Sequence, residues 1–115
     1  MDDLEREYSP SSRVGGSADP FVADYRARSA GVAAVEVAGG SLVVPAAAGA
    51  PLLVFIHGGY WQALSAAESR YLAPALGALG WSYAALEYTL APEAGLATMV
   101  QECAAGLAAV VRATA

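Results

Sequence analysis

The feature that most constrains this chain is Leu52-Leu53-Val54-Phe55-Ile56, an unbroken apolar run that passes directly into His57-Gly58-Gly59. A strand that is apolar at every position shows greasy side chains to both sides. It therefore needs cover on both faces, the mark of a mostly parallel sheet flanked by helices. Upstream, Ala46 to Ala50 form a loop closed by Pro51, which pushes its predecessor out of the helical region. Downstream, Ser65 with Glu68 three residues later has the pattern of a capping box, opening a helix that runs through Leu79. Pro74 kinks or restarts that helix, because it has no N–H and clashes with the preceding turn. Gly80 is placed to end it. Trp81 to Glu87 is the next strand, broken by Leu90-Ala91-Pro92. From Gly95 to Arg112 the pattern is helical: Leu96, Met99, Val100, Cys103, Leu107, Val110 and Val111 recur at three- and four-residue spacing, predicting one buried face.

Ahead of the run, residues 1–20 are polar and rich in Ser, Pro and Gly, and are expected to form an irregular arm that wraps the domain. A short helix over Phe21–Ser29 follows, with Asp19 as cap and Pro20 at the first helical position. Ala33–Val37 and Ser41–Val44 flank Ala38-Gly39-Gly40 and read as a hairpin. The order hairpin, strand, helix, strand, helix predicts an α/β fold with an antiparallel pair at one sheet edge. Residues 1–30 hold the arm and its helix, residues 31–115 the sheet and its helices. No internal repeat or interdomain linker interrupts this.

Composition removes several functions. The chain carries 6 Arg, no Lys and a net charge of −5, so it lacks the cationic stripe that nucleic acid requires. Without lysine there is no P-loop, and no Gly-x-Gly spacing occurs to bind a dinucleotide. One Cys and one His cannot assemble the usual zinc ligand set. No cofactor is expected. The lone Cys103 excludes an internal disulfide and suits a reducing compartment. The start, Met1-Asp2-Asp3-Leu4-Glu5-Arg6-Glu7, is acidic where a signal peptide is basic, and Leu52–Ile56 is too short to span a bilayer. These readings predict a cytoplasmic protein without a membrane segment.

Chemistry concentrates in Phe55-Ile56-His57-Gly58-Gly59-Tyr60-Trp61. In open α/β sheets, ligands bind beyond the carboxyl ends of the strands. Two glycines there let the backbone turn sharply and approach a substrate, leaving N–H groups free for developing negative charge. The segment, followed by a helix, resembles the oxyanion loop of the α/β-hydrolase fold. Tyr88-Thr89-Leu90-Ala91-Pro92-Glu93 is similar to the Tyr-x-Leu-Ala-Pro segment after the fourth strand of hormone-sensitive-lipase-like esterases. With Tyr8-Ser9-Pro10-Ser11 leading, the His-Gly-Gly-Tyr-Trp version most resembles the kynurenine formamidase (arylformamidase) branch. The resemblance runs from about Glu5 to Ala113 and implies a hydrolase that attacks acyl carbons with a serine, assisted by His and Asp. It also implies an oxyanion hole at Gly58, Gly59 and Tyr60, with His57 positioning the loop and Trp61 supporting the site. The implied substrate is an acyl ester or an N-formyl aromatic compound.

The chain departs from that pattern in one respect. Gly15-Gly16-Ser17-Ala18-Asp19 and Gly39-Gly40-Ser41-Leu42-Val43 lack the closing glycine of a nucleophile elbow and precede the oxyanion loop, and no histidine follows His57. The catalytic Ser, Asp and His are expected beyond Ala115, so the chain reads as the amino-terminal portion of a hydrolase. The alternative is a non-catalytic fragment that acts through association, including self-association, because Leu52–Ile56 would then be a bare apolar sheet edge. Tyr60 and Trp61 read equally as pocket lining or as half-buried packing residues. Cys103 reads as a small core residue, and Glu87 and Glu93 as solvated carboxylates near a strand end.

Overall fold

The computed structural model describes residues 2–115; Met1, part of the acidic start, lies outside the described residues. Four strands form one sheet: β1 (Val35–Glu36), β2 (Leu42–Val44), β3 (Leu52–Ile56) and β4 (Ser82–Leu86), in the order β1-β2-β4-β3. β1 and β2 pair antiparallel as the expected edge hairpin, turned by Gly39 and Gly40, both at positive φ. β2 also runs antiparallel to β4, whereas β3 runs parallel to β4 from Leu52↔Ser82 to Ile56↔Leu86.

β4 is buried along its whole length and divides the core by alternation. Ala84 and Leu86 pack with Val43 and Val110, joined by Val54, under α4 (Leu96–Thr114). Tyr83 and Ala85 pack on the other face with Ala66 and Ala73, joined by Leu53 and Phe55. The polar groups this buries are satisfied: Tyr83 donates its hydroxyl to the Ser69 carbonyl at 2.7 Å, and Ser82 Oγ accepts from the Ala46 N–H at 2.8 Å.

The segment after Ser65 becomes two short helices. A 3₁₀ helix (Ala67–Leu72) leads into α3 (Ala73–Ala78), with Pro74 in the first turn of α3. Pro74 has no N–H for the Arg70 carbonyl, and the Ala73 N–H takes that carbonyl in a tighter turn. The capping box is not realised: the Ser65 hydroxyl donates to the Glu68 carboxylate instead of accepting from a backbone N–H. Gly80, at φ +80°, ends α3 as expected. Its N–H reaches Gly77 O and the Trp81 N–H reaches Leu76 O, the paired bonds of a Schellman motif.

Three further expectations are corrected. The arm is not irregular: Asp2 caps α1 (Asp3–Glu7) through the Glu5 N–H, and a 3₁₀ turn spans Pro10–Arg13. Among the described residues, the hydrogen bonds and ion pairs of residues 2–16 stay within that stretch, so no polar contact clasps it to the sheet. α2 (Asp19–Ala30) begins at Asp19, which is therefore not its cap, and Ser17 Oγ accepts the Asp19 N–H. β3 has cover on both faces, Leu52 and Val54 on one and Leu53 and Phe55 on the other, but it lies at the sheet edge and is only half-buried, with Ile56 54% exposed.

α4 also differs from its expected single buried face. Met99 and Val110 are buried and Cys103 is half-buried, but Leu96, Val100, Leu107 and Val111 face outward. Its small residues set the approach to the sheet: a Cβ on Gly106 would come within 3.1 Å of Ser41 Oγ. With nineteen residues, α4 is long and apolar enough to cross a bilayer by length and composition, unlike the short run Leu52–Ile56. Here its buried residues lie against the sheet.

Because Leu86 is fully enclosed and Leu79 is 72% exposed, the two should respond differently to truncation. Leu86→Ala should lower the unfolding free energy by about 2–5 kcal/mol in urea titrations, and Leu79→Ala by less than about 0.5 kcal/mol.

Candidate active site

Parallel pairing brings the carboxyl ends of β3 and β4 to the same end of the sheet, and the segments leaving them meet there. Ala91 donates its N–H to the Trp61 carbonyl at 2.7 Å, and the Tyr88 hydroxyl donates to the His57 carbonyl at 2.7 Å. The two motifs singled out in the sequence are thus bonded to each other. Beneath them Tyr88, Ala94 and Met99 form a small apolar cluster of their own.

The loop leaving β3 is built from unusual backbone. Gly59 has φ +114°, and Tyr60 (+56°), Trp61 (+60°) and Leu64 (+70°) also lie in the left-handed region. For a residue with a Cβ, that region costs about 1–2 kcal/mol, so strain is concentrated at one strand end. The turn closes on one acceptor, with the Gln62 and Ala63 N–H groups both reaching Gly59 O at 3.1 Å. Gly58, Gly59, Tyr60 and Trp61 donate no hydrogen bond among the described residues. Four successive N–H groups at a strand end are therefore left for solvent or an anion. Tyr60 is 79% exposed and Trp61 49%, their rings 5.5 Å apart and tilted.

His57 is turned inward. It is 4% exposed, and its ring stacks on Tyr88 with centroids 4.3 Å apart. Nδ1 lies 2.8 Å from Gly58 O, so it carries the proton of that hydrogen bond. Nε2 lies 3.4 Å from Glu87 Oε1, close enough for an ion pair but off line for a hydrogen bond. Burial pushes the imidazole pKa down, but the Glu87 carboxylate, the Gly58 carbonyl and the charge on Glu68 outweigh it. The result stands above the ordinary 6.5. This geometry leaves His57 no free nitrogen to act as an external base.

Glu87 is not the solvated carboxylate the sequence suggested. Besides facing His57, it accepts the Ala66 N–H on Oε2 at 3.3 Å, and Ser41 Oγ accepts the Glu87 N–H at 3.0 Å. Sequence periodicity places it at a strand end and carries no signal for these partners. Cys103 sits across an apolar groove of about 730 Å³ shared with Ile56, Tyr60, Trp61, Leu96, Met99 and Val100. Burial and the neighbouring Glu102 carboxylate push its thiol pKa up, so it is a poor thiolate. Ser17 and Ser41, the serines nearest to an elbow pattern, serve as backbone acceptors. Among the described residues, no group of His, Cys, Asp and Glu is placed to hold a metal.

No protein-family model matches the chain. Among curated proteins it is 31% identical over 130 residues to kynurenine formamidase of Danio rerio and 30% identical over 132 residues to that of Salmo salar. Each alignment covers 96% of this chain and 44% of the relative, so the chain spans under half their length. Among solved structures, a thioesterase candidate from Silicibacter sp. matches with TM-score 0.71 and 27% identity, over 100% of this chain and 49% of that one. A hormone-sensitive-lipase homologue from a metagenome library shares the fold, with TM-score 0.62 and 24% identity, over 99% of this chain and 43% of that one. The chain is similar to kynurenine formamidases along nearly all its length, and its sheet and helices match part of the fold of these α/β-hydrolase structures.

The two glycines of the loop are not equivalent. A Cβ on Gly59 would sit 2.8 Å from the Ala63 carbonyl carbon and closer still to its oxygen, in a backbone conformation hostile to side chains, whereas a Cβ on Gly58 meets nothing within 4 Å. Gly59→Ala should therefore destabilise the fold by about 1–3 kcal/mol, and Gly58→Ala by less than about 1 kcal/mol. Thermal melts of the two variants beside the native chain test the difference.

Proposed function

We propose that this chain supplies the oxyanion-binding part of a serine-hydrolase-type acyl hydrolase, acting on an N-formyl aromatic amide or a carboxylic ester. The observation that carries the reading is the strained Gly59–Trp61 backbone at the end of β3, with its unpartnered N–H groups. The similarity to kynurenine formamidases over 96% of the chain supports it.

In this reading a serine outside the chain gives its proton to a histidine also outside it and adds to the acyl carbon, and the carbonyl π electrons move onto oxygen. The N–H groups of Gly58, Gly59 and Tyr60 then receive that oxyanion. One preorganised donor of this kind is worth about 3–4 kcal/mol in the transition state. The same N–H groups release the oxygen as the carbonyl re-forms and the amine or alcohol departs with the histidine's proton; water, giving its proton to the same histidine, then adds to the acyl-serine and frees the acid, the proton returning to the serine. His57 keeps the loop in shape, and Trp61 ties the middle of the loop to the segment after β4 through the bond from Ala91.

The test is a chimera in which this segment precedes the nucleophile-bearing half of a kynurenine formamidase relative. It should hydrolyse N-formyl aromatic amides or p-nitrophenyl acetate, and the 115-residue chain alone should not. In the folded chimera, Gly59→Val should lower kcat by about 100-fold or more. Undiminished kcat there, or turnover by the isolated chain, would overturn the assignment.

A second reading is favoured by the position of β3 at the sheet edge and by the outward-facing apolar residues of α4. In it the chain is non-catalytic and acts by pairing with another chain, or with its own copy, along that edge. Sedimentation of the isolated chain over a concentration series should then show association. A monomer at every concentration would remove this reading.

A further inference from the structure

One carboxylate touches both ends of the loop that leaves β3. Glu87 Oε1 faces His57 Nε2 where the loop begins, and Oε2 accepts the Ala66 N–H where it ends, 3.4 and 3.3 Å away. Glu87 itself is anchored at its N–H by the buried Ser41 Oγ. The histidine between carboxylate and loop is enclosed, and its two ring nitrogens face a carbonyl oxygen and a carboxylate oxygen. Both oxygens only accept. A neutral ring could satisfy one of them and would present a lone pair to the other; an imidazolium suits both. Nε2 is the buried side-chain polar atom that lacks a hydrogen-bond partner among the described residues, so its fit depends on carrying a proton for the ion pair.

We propose that Glu87 is the positioning residue of this loop: it brackets residues 57–66 and holds His57 as an imidazolium, so that presentation of the Gly58–Tyr60 N–H groups depends on one proton. The catalytic meaning of this role rests on the hydrolase reading, but the role itself is a property of the loop. The groups that face His57 are Glu87 and Tyr88 at the end of β4, Glu68 on the 3₁₀ helix at charge range and Cys103 across the groove. Glu68 is partly offset by Arg26 at 3.2 Å. Tyr88 and Cys103 have pKa values raised first by burial and are neutral near pH 7, so the surrounding charge is negative and favours the protonated ring. The direction follows: stabilisation from the pair is complete below pH 6.5, the ordinary value, and fades as pH rises through the higher pKa of the folded chain.

His57 is the sole histidine, so its ring nitrogens can be followed without ambiguity by long-range ¹H–¹⁵N NMR of the full 115-residue chain. The native titration should have its midpoint above 6.5, and the backbone amides of Gly59 and Tyr60 should shift with the same midpoint. In Glu87→Gln the carboxylate charge is gone and burial remains, so the midpoint should fall below 6.5. The amide side chain can still accept from Ala66, which separates loss of charge from loss of the bracket. A purely structural Glu87 would leave the midpoint where it was. A native midpoint at or below 6.5, loop amides that ignore it, or a midpoint unmoved by Glu87→Gln overturns the proposal. If that variant does not fold, the native midpoint and the loop amides decide alone. No substrate enters these measurements, so an inactive chimera would sink the hydrolase reading and leave this one standing.

Discussion

The parallel register of β3 on β4 is the constraint from which the site follows. Once Ile56 pairs with Leu86, the next residue on each strand, His57 and Glu87, must leave the sheet side by side. The residues after those bring Tyr88 up to His57 and set Ala91 against Trp61. An antiparallel pairing would have sent the two segments to opposite ends of the sheet. Parallel strands need a crossover, and here it is the loop, the 3₁₀ helix and α3. The connection that makes the topology possible therefore also carries the strained backbone.

That strain has to be offset by what surrounds it. Tyr60 and Trp61 in the left-handed region together cost about 2–4 kcal/mol, and in return Trp61 buries only half of its surface and Tyr60, 79% exposed, very little. The loop is held from outside: the Tyr88 hydroxyl and the Ala91 N–H bond to its carbonyls, and the Glu87 carboxylate faces both its ends. At roughly 1 kcal/mol per neutral hydrogen bond and somewhat more for charged ones, these ties are of the size needed to balance the strain. The arrangement is pre-set, with N–H groups already free of internal acceptors.

Local signals were legible in the sequence where their causes were local. Pro74 had to restart a helix whatever surrounded it, and Gly80 ended α3 because its backbone favours the left-handed turn. The hairpin around Gly39 and Gly40, and the β3 and β4 strands, were readable for the same reason. Glu87 was misread because, beside the neighbouring Tyr88 N–H, its carboxylate faces a histidine thirty residues earlier and the Ala66 N–H twenty-one residues earlier, and only the register brings those together. The Ser65–Glu68 spacing suggested a capping box, but the hydroxyl turned to the carboxylate once the chain entered a 3₁₀ turn. Of the site, the glycine pair and its aromatic neighbours could be named from sequence. The left-handed stretch Tyr60-Trp61 could not, since neither residue favours that conformation.

The remaining discrepancy, apolar residues expected inside and found outside, has a single physical origin. Leu96, Val100, Cys103, Leu107 and Val111 recur at spacings of four, three, four and four, which lays them along one side of α4. That side lies beside the unpaired edge of β3, and Ile56, Leu96 and Val100 line the same groove. Burying a fully exposed large aliphatic side chain is worth about 1.5–3 kcal/mol, and the four on α4 are roughly half exposed, so covering them is worth about 3–7 kcal/mol. A whole domain is stable by only about 5–15 kcal/mol. Whether a further strand and helix cover this surface therefore matters as much to the chain's stability as the fold's own net balance. The Gly58–Trp61 loop sits at the rim of that surface, with His57 and Trp61 lining the groove. What covers β3 and α4 would thus also set how much water reaches the Gly58–Tyr60 N–H groups, and with it the strength of any bond they make to an anion.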